Sequence, residues 1–132
     1  MRGLIERPTP TASETLLLVD DDPPTRRSLQ LRLRGCGYIV RAYGDGRNAL
    51  ADPIAQTAIC LITDNEMASI DGISLMRSFR ALGWLGVAIL MTSIDGEEAK
   101  SEAIAAGFAA VIQKPIEGYR LVDVVDRALM HS

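Results

Sequence analysis

The chain has 132 residues, of which 48% are hydrophobic and 23% are charged, and its formal net charge is −3. This composition is typical of a single globular domain, and the length is sufficient to bury a core without disulfides or a structural metal. The slightly acidic balance gives no general attraction to nucleic acid or to an anionic membrane. No apolar run approaches the ~20 residues needed to cross a bilayer, and no signal peptide is visible at the start. We therefore expect a cytoplasmic protein without a membrane partner.

The first residues differ in character from the rest of the chain. Residues 1–13 include Pro8 and Pro10 and show no hydrophobic periodicity. They are predicted to form a flexible N-terminal extension. Residues 14–132 are predicted to form the folded domain.

Signals for strands and helices then alternate in chain order. Leu16–Val19 is a continuous apolar run, as in a strand covered on both faces, and Pro23 marks the first turn of the helix that follows. Gly35 and Gly37 are predicted to end that helix. The later predicted strands cover residues 38–43, 59–63, 87–91 and 108–113, and the helices cover residues 45–52, 73–82, 95–106 and 118–130. Five βα units predict a doubly wound α/β fold, in which a parallel sheet has helices on both faces.

Polar residues stand where four of these strands end. Asp20 and Asp21 follow the first strand, Asp64 the third, Thr92 the fourth and Lys114 the fifth. Because parallel strands present their carboxyl ends at one edge, these side chains are expected to share a pocket. Two or three carboxylates with room for water suit Mg²⁺, and a hydroxyl with an ammonium group suits a phosphoryl group.

The pocket suggests a particular chemistry. Asp64 is the candidate nucleophile, because a carboxylate can attack phosphorus to form an acyl phosphate. Lys114 and Thr92 would bind phosphoryl oxygens, while either Asp20 or Asp21 binds the metal directly and the other binds through water. Taken singly, each residue also fits a plainer role, such as a solvated strand end or a helix cap. Their joint occurrence at four strand ends favours the pocket.

These residues also form motifs that resemble the receiver domain of two-component response regulators. Residues 17–23 (LLVDDDP) are similar to the first-strand motif of that family, and residues 63–67 (TDNEM) with Asp71-Gly72 are similar to its phosphorylation-site motif. Thr92 matches the switch hydroxyl, and Lys114-Pro115 matches the lysine–proline pair. The resemblance covers about residues 14–130.

The resemblance implies a fold, a cofactor and residue roles. The fold would be flavodoxin-like, with a five-stranded parallel sheet in the order 2-1-3-4-5. Asp64 would accept a phosphoryl group from a histidine kinase or a histidine phosphotransfer protein, with Mg²⁺. Asp21, Asp64 and the main-chain carbonyl of Glu66 would bind Mg²⁺ directly, and Asp20 would act through water. Thr92 would move toward the phosphoryl group, and Lys114 would bind it.

The resemblance also implies a signalling switch, and not an enzyme that releases a product. Its output would be an altered surface on the C-terminal helices. Residues 95–106 and 118–130, with the strand between them, correspond to the usual partner or dimer surface of the family, so a homodimer is one expected assembly. No basic or aromatic cluster indicates direct nucleic-acid binding. An output domain after Ser132 is left open.

Three positions depart from the family pattern. Val111 stands where an aromatic switch residue is usual, so the signal is expected to travel through loop and helix shifts. Ala68 replaces a proline that would fix the turn after Met67. Ser93 adds a polar group where a small apolar residue is common.

Glu66 is a candidate modulator, because it lies two residues after Asp64. If it reaches the pocket mouth, its charge would repel the phosphoryl group or orient water, and so change the lifetime of the acyl phosphate. The alternative is a solvated loop glutamate.

Two other classes of protein fit the sequence less well. A phosphatase of the haloacid dehalogenase type needs a DxDx[TV] motif after the first strand, and Pro24 stands where Thr or Val is required. A flavodoxin-like cofactor binder needs a Ser/Thr-rich phosphate loop or a GxGxxG fingerprint, and the sequence has neither.

Overall fold

Strands and helices alternate along residues 14–130, which are the residues described by the computed structural model. The described strands are β1 (Thr15–Val19), β2 (Ile39–Tyr43), β3 (Cys60–Asp64), β4 (Val87–Thr92) and β5 (Ala110–Gln113). The described α-helices are α1 (Pro23–Gly35), α2 (Gly46–Ala51), α3 (Gly72–Ala81), α4 (Glu97–Ala106) and α5 (Gly118–Met130). The extension predicted for residues 1–13 lies outside the described residues, as do residues 131–132.

The strands form one parallel sheet in the order β2-β1-β3-β4-β5, which confirms the predicted fold class. The direction of strand addition reverses after β1 and β2, so β1 and β3 are neighbours at the switch point where ligands bind in such sheets. The carboxyl ends of β1, β3, β4 and β5 therefore lie side by side.

The sheet is buried on both faces, which explains its apolar strands. Leu17 and Val19 of β1 face a core made with α2, α3 and α4, in which Phe79 is fully buried. Leu16 and Leu18 face the opposite core, made with α1 and α5. Because alternate residues face opposite layers, both faces of the first strand need apolar side chains.

Some predicted boundaries were wrong, for local reasons. Phe108 was assigned to the fifth strand, but its N–H donates to the Ala103 carbonyl at 3.1 Å and closes the end of α4. Gly107 makes this turn in the left-handed conformation, with φ of 117°. Asp95 was assigned to the fourth helix, but α4 begins at Glu97, after Gly96 with φ of 114°.

A short 3-10 helix over Pro53–Thr57 was not predicted. Asp52 ends α2 and caps this turn, because its carboxylate accepts the Ile54 N–H at 3.0 Å. The Trp84 indole N–H donates to the Ala58 carbonyl at 2.8 Å and ties the turn to the loop before β4.

None of the helices within residues 14–130 combines the length and the apolar character that a bilayer crossing requires.

Candidate functional site

Three aspartates gather at the carboxyl end of β1 and β3. Asp20 and Asp64 are buried, with 1% and 2% of their surface exposed, and Asp21 is exposed. One carboxylate oxygen from each lies within 4.8 Å of the other two. The pairing of Val19 with Thr63 in neighbouring strands sets this spacing, because Asp20 and Asp64 directly follow that pair. The predicted acidic cluster is therefore present.

The Asp20 carboxylate is held on one side only. Its Oδ1 accepts the Asp22 N–H at 2.9 Å, whereas its buried Oδ2 has no hydrogen-bond partner among residues 14–130. Burial raises the pKa of Asp20, and the Asp22 N–H offsets this only in part. The Arg26 guanidinium donates to the Asp20 main-chain carbonyl at 2.8 Å and anchors the residue. The buried Oδ2 oxygen is therefore suited to bind a cation or an ordered water.

The residues present fit a hard divalent cation such as Mg²⁺. Oxygen ligands from carboxylates are those that Mg²⁺ prefers, and Asp20, Asp21 and Asp64 would hold it. When bound, it would supply positive charge that offsets the cluster and a transferring phosphoryl group. The contribution of the Glu66 carbonyl stays a prediction.

Replacement of Asp20 tests this fit. We expect Asp20→Asn to raise the free energy of unfolding of the metal-free protein by roughly 1 kcal/mol, because a poorly partnered buried charge is removed. The same change should weaken Mg²⁺ binding about 10- to 100-fold. Urea unfolding and calorimetric titration with Mg²⁺ measure the two effects. Asp22→Asn is the matched control, since Asp22 is exposed and Asn also caps a helix. Unchanged Mg²⁺ affinity in Asp20→Asn would contradict the assignment.

Lys114 points into the acidic cluster from the end of β5. Its Nζ lies 2.6 Å from Asp64 Oδ1 and 3.9 Å from Glu66 Oε1. Burial acts to lower the pKa of Lys114, but the bond to Asp64 and the neighbouring acids outweigh it and raise the pKa. The Lys114 N–H donates to the Thr92 carbonyl at 2.8 Å, and the bond to Pro115 is cis. A charged ammonium group therefore lies beside the candidate acceptor.

Asp64 is the last residue of β3 and contacts the start of α3 closely. A Cβ atom placed on Gly72 would lie 2.7 Å from the Asp64 carbonyl oxygen and 3.0 Å from the Asn65 Cα. Asn65 also accepts the Gly72 N–H at 3.2 Å through its own carbonyl. This close approach is the physical reason for a glycine in the Asp71-Gly72 motif.

Thr92 and Glu66 meet at the mouth of the pocket. Thr92 is the last residue of β4, is 4% exposed, and donates its hydroxyl hydrogen to Glu66 Oε2 at 2.6 Å. Glu66 Oε1 accepts the Ser93 N–H at 2.8 Å and the Ser93 hydroxyl at 3.0 Å. Partial burial acts to raise the pKa of Glu66, but these hydrogen bonds outweigh it, so the pKa is lowered. Glu66 therefore reaches the pocket mouth, and its effect on the lifetime of the acyl phosphate stays a prediction.

Two contributors were missed from the sequence. The Gln113 amide donates to the Ser93 carbonyl at 2.9 Å and links the end of β5 to the loop after β4. Arg26 supports Asp20 from the first turns of α1. Gln113 is the last residue of β5 and directly precedes Lys114 in the chain, and this position was the signal in the sequence that could have indicated it. Val111 is half-buried and packs against the core on the α3 and α4 side.

A doubly wound five-stranded sheet, with acids at the carboxyl ends of β1 and β3, a threonine at the end of β4 and a lysine directly after β5, defines the receiver class of domain. The chain belongs to the response regulator receiver domain family, whose sequence model matches residues 16–126. The resemblance stated from the motifs is thereby confirmed.

Individual relatives agree with this assignment. The transcriptional regulatory protein ZraR of Salmonella typhimurium is 33% identical over 117 residues, which cover 89% of this chain and 26% of that protein. An uncharacterized 14.6 kDa protein of Leptolyngbya boryana is 31% identical, over 88% of this chain and 90% of its own length. Among solved structures, Vibrio cholerae chemotaxis protein CheY4 matches with a TM-score of 0.80 and 26% identity, over 87% of this chain and 98% of its own. The chain spans about a quarter of the ZraR length.

Proposed function

We propose that this domain is a phosphoacceptor switch, in which Asp64 takes a phosphoryl group from a histidine kinase or a histidine phosphotransfer protein. The observation that carries the proposal is the contact of Lys114 Nζ with Asp64 Oδ1 at 2.6 Å, beside the cluster of Asp20, Asp21 and Asp64. This arrangement combines a carboxylate nucleophile with positive charge and with oxygen ligands for Mg²⁺.

The reaction follows from these positions. A carboxylate oxygen of Asp64 attacks the phosphorus, the P–N bond to the donor imidazole breaks, and its electron pair stays on the imidazole nitrogen. Lys114 stabilises the charge on the phosphoryl oxygens because its ammonium group already lies beside the acceptor. The Thr92 hydroxyl is buried at the end of the neighbouring strand β4. It is the group that can contact the phosphoryl group and pass the change to the loop before α4.

The proposed output is a change on the surface of the C-terminal helices. Thr92 ends β4, directly before the loop to α4, and Gln113 bonds that loop to β5. Val111 offers little side-chain reach, so the change is proposed to travel through this loop and α4. Tyr119 on α5 is 65% exposed and suits a partner or homodimer contact on the face formed by α4, β5 and α5.

Other parts of the proposal rest on family membership. The names of ZraR and of similar relatives describe transcriptional regulators. We propose that this domain itself binds protein partners in the cytoplasm and does not contact nucleic acid, in line with its net charge of −3. It is proposed to act as a switch and not to turn over an external substrate.

Incubation with a small acyl phosphate donor and Mg²⁺ tests the proposal. We expect a stoichiometric label that hydroxylamine removes, since hydroxylamine cleaves acyl phosphates. Multiple turnover of an external phosphate ester, without a stable label, would instead favour a phosphatase of the haloacid dehalogenase type. A label that resists hydroxylamine would also contradict the proposal.

A further inference from the structure

The Glu66 carboxylate occupies the hydrogen-bond donors of the loop after β4. Its two oxygens accept three hydrogen bonds, from the Thr92 hydroxyl and from the N–H and hydroxyl of Ser93, at 2.6, 2.8 and 3.0 Å. Lys114 Nζ lies 3.9 Å from the same carboxylate. Glu66 therefore accepts hydrogen bonds from the neutral donors on one side of the pocket, and Asp64 contacts the ammonium group of Lys114.

The Thr92 hydroxyl has no hydrogen left for another anion. A hydroxyl group donates one hydrogen, and this one is given to Glu66. Its oxygen also accepts the Ile94 N–H at 3.1 Å, so the group is held on both sides. A phosphoryl group on Asp64 that bonds to Thr92 must first displace Glu66.

The two anions would also repel each other. Both Glu66 carboxylate oxygens accept hydrogen bonds from Thr92 and Ser93, as those of an anionic carboxylate do. Glu66 and Asp64 are separated by one residue, and the Glu66 N–H donates to Asp64 Oδ1 at 3.2 Å. Phosphorylation of Asp64 replaces a singly charged carboxylate with a phosphoryl group of about −2 charge, so it adds about one negative charge to this short loop.

We propose that Glu66 is an internal competitor of the phosphoryl group, which holds the β4–α4 loop in its unphosphorylated position and must leave when Asp64 is phosphorylated. The inference rests on the proposed phosphoacceptor function. Competition for the shared hydrogen-bond donors makes phosphorylation of Asp64 less favourable. The domain therefore switches only when the phosphoryl donor strongly favours transfer. The displacement also couples phosphorylation to loop movement, in a chain where Val111 replaces the usual aromatic residue.

Kinetics of the Glu66 variants test this inference. For each protein, the rate of label uptake from a small acyl phosphate with Mg²⁺ is divided by the rate of label loss after the donor is removed. We expect this ratio to rise about tenfold in Glu66→Ala, because a charge-assisted contact no longer has to be broken. Glu66→Gln keeps an acceptor oxygen but loses the charge, so its ratio should be intermediate. In NMR spectra recorded before the acyl phosphate is added, the Ser93 amide signal should shift in both variants.

Glu102→Ala is the matched control. Glu102 is exposed on α4 and its removal changes the net charge by the same amount, so the ratio should equal that of the wild type. An unchanged ratio in Glu66→Ala, with labelling intact, would overturn the inference and leave the phosphoacceptor function standing. No label on the wild type or on any variant would overturn the phosphoacceptor function, and this inference with it.

Discussion

Asp64→Asn should reduce phosphoryl uptake from a small acyl phosphate to background. The amide is nearly the same size as the carboxylate, but it is not a nucleophile toward phosphorus, and it cannot form the acyl phosphate. The charge-assisted contact with Lys114 at 2.6 Å is lost at the same time. Electrophoretic separation of the phosphorylated form, or intact-protein mass measurement, would record the loss.

Asp71→Asn is the control for this replacement. Asp71 is a nearby aspartate that caps α3 by accepting the Ser74 N–H at 2.7 Å, and asparagine caps helices as well as aspartate does. We expect this variant to label as the wild type does. Retained labelling in Asp64→Asn would mean that another residue accepts the phosphoryl group.

The second large effect is expected for Gly72→Ala. A methyl group at this position would lie 2.7 Å from the Asp64 carbonyl oxygen, 2.8 Å from Leu90 Cδ1 and 3.0 Å from Asn65 Cα. Two of these atoms belong to the main chain that carries the acceptor, so the strain cannot be relieved by a side-chain rotation. We expect the free energy of unfolding to fall by about 1–3 kcal/mol, and label uptake to slow because Asp64 shifts. Urea unfolding and the uptake rate measure the two effects.

Gly35→Ala provides the comparison for Gly72→Ala. Gly35 is the last residue of α1, and a Cβ atom there would meet nothing within 4 Å. Alanine is the better helix former, so this variant should be as stable as the wild type or more stable by up to about 1 kcal/mol. Equal stability of the two variants would contradict the close-packing explanation of Gly72.

The fold was predictable because its signals are local. Each buried strand is a short apolar run, and proline and glycine mark the helix ends, as at Pro23 and Gly107. The order of the strands followed from the motif resemblance, since the sequence pattern alone does not say which strands are neighbours. The positions of Asp20, Asp64, Thr92 and Lys114 at the sheet edge followed from the parallel direction of the strands, which brings their carboxyl ends to one edge.

The details that were missed depend on contacts between distant segments. Phe108 is a local exception, because it is apolar and follows a helix, as a strand residue would, yet its N–H bonds back to Ala103 and closes α4. The 3-10 turn at Pro53–Thr57 is held partly by Trp84, which lies more than twenty residues away in the chain. The sequence raised Glu66 as a modulator, but its bonds to Thr92 and Ser93 depend on how two loops approach each other. Gln113 was missed for the same reason.

The central claim is that Asp64 becomes an acyl phosphate, and reduction of the labelled protein with borohydride tests it most directly. Hydride reduces the acyl carbon and releases phosphate, which converts a phosphorylated aspartate into homoserine. After digestion and peptide sequencing by mass spectrometry, the account predicts homoserine at position 64 and unchanged aspartate at positions 20 and 21. Homoserine at another position, or labelled protein that yields none, would contradict it.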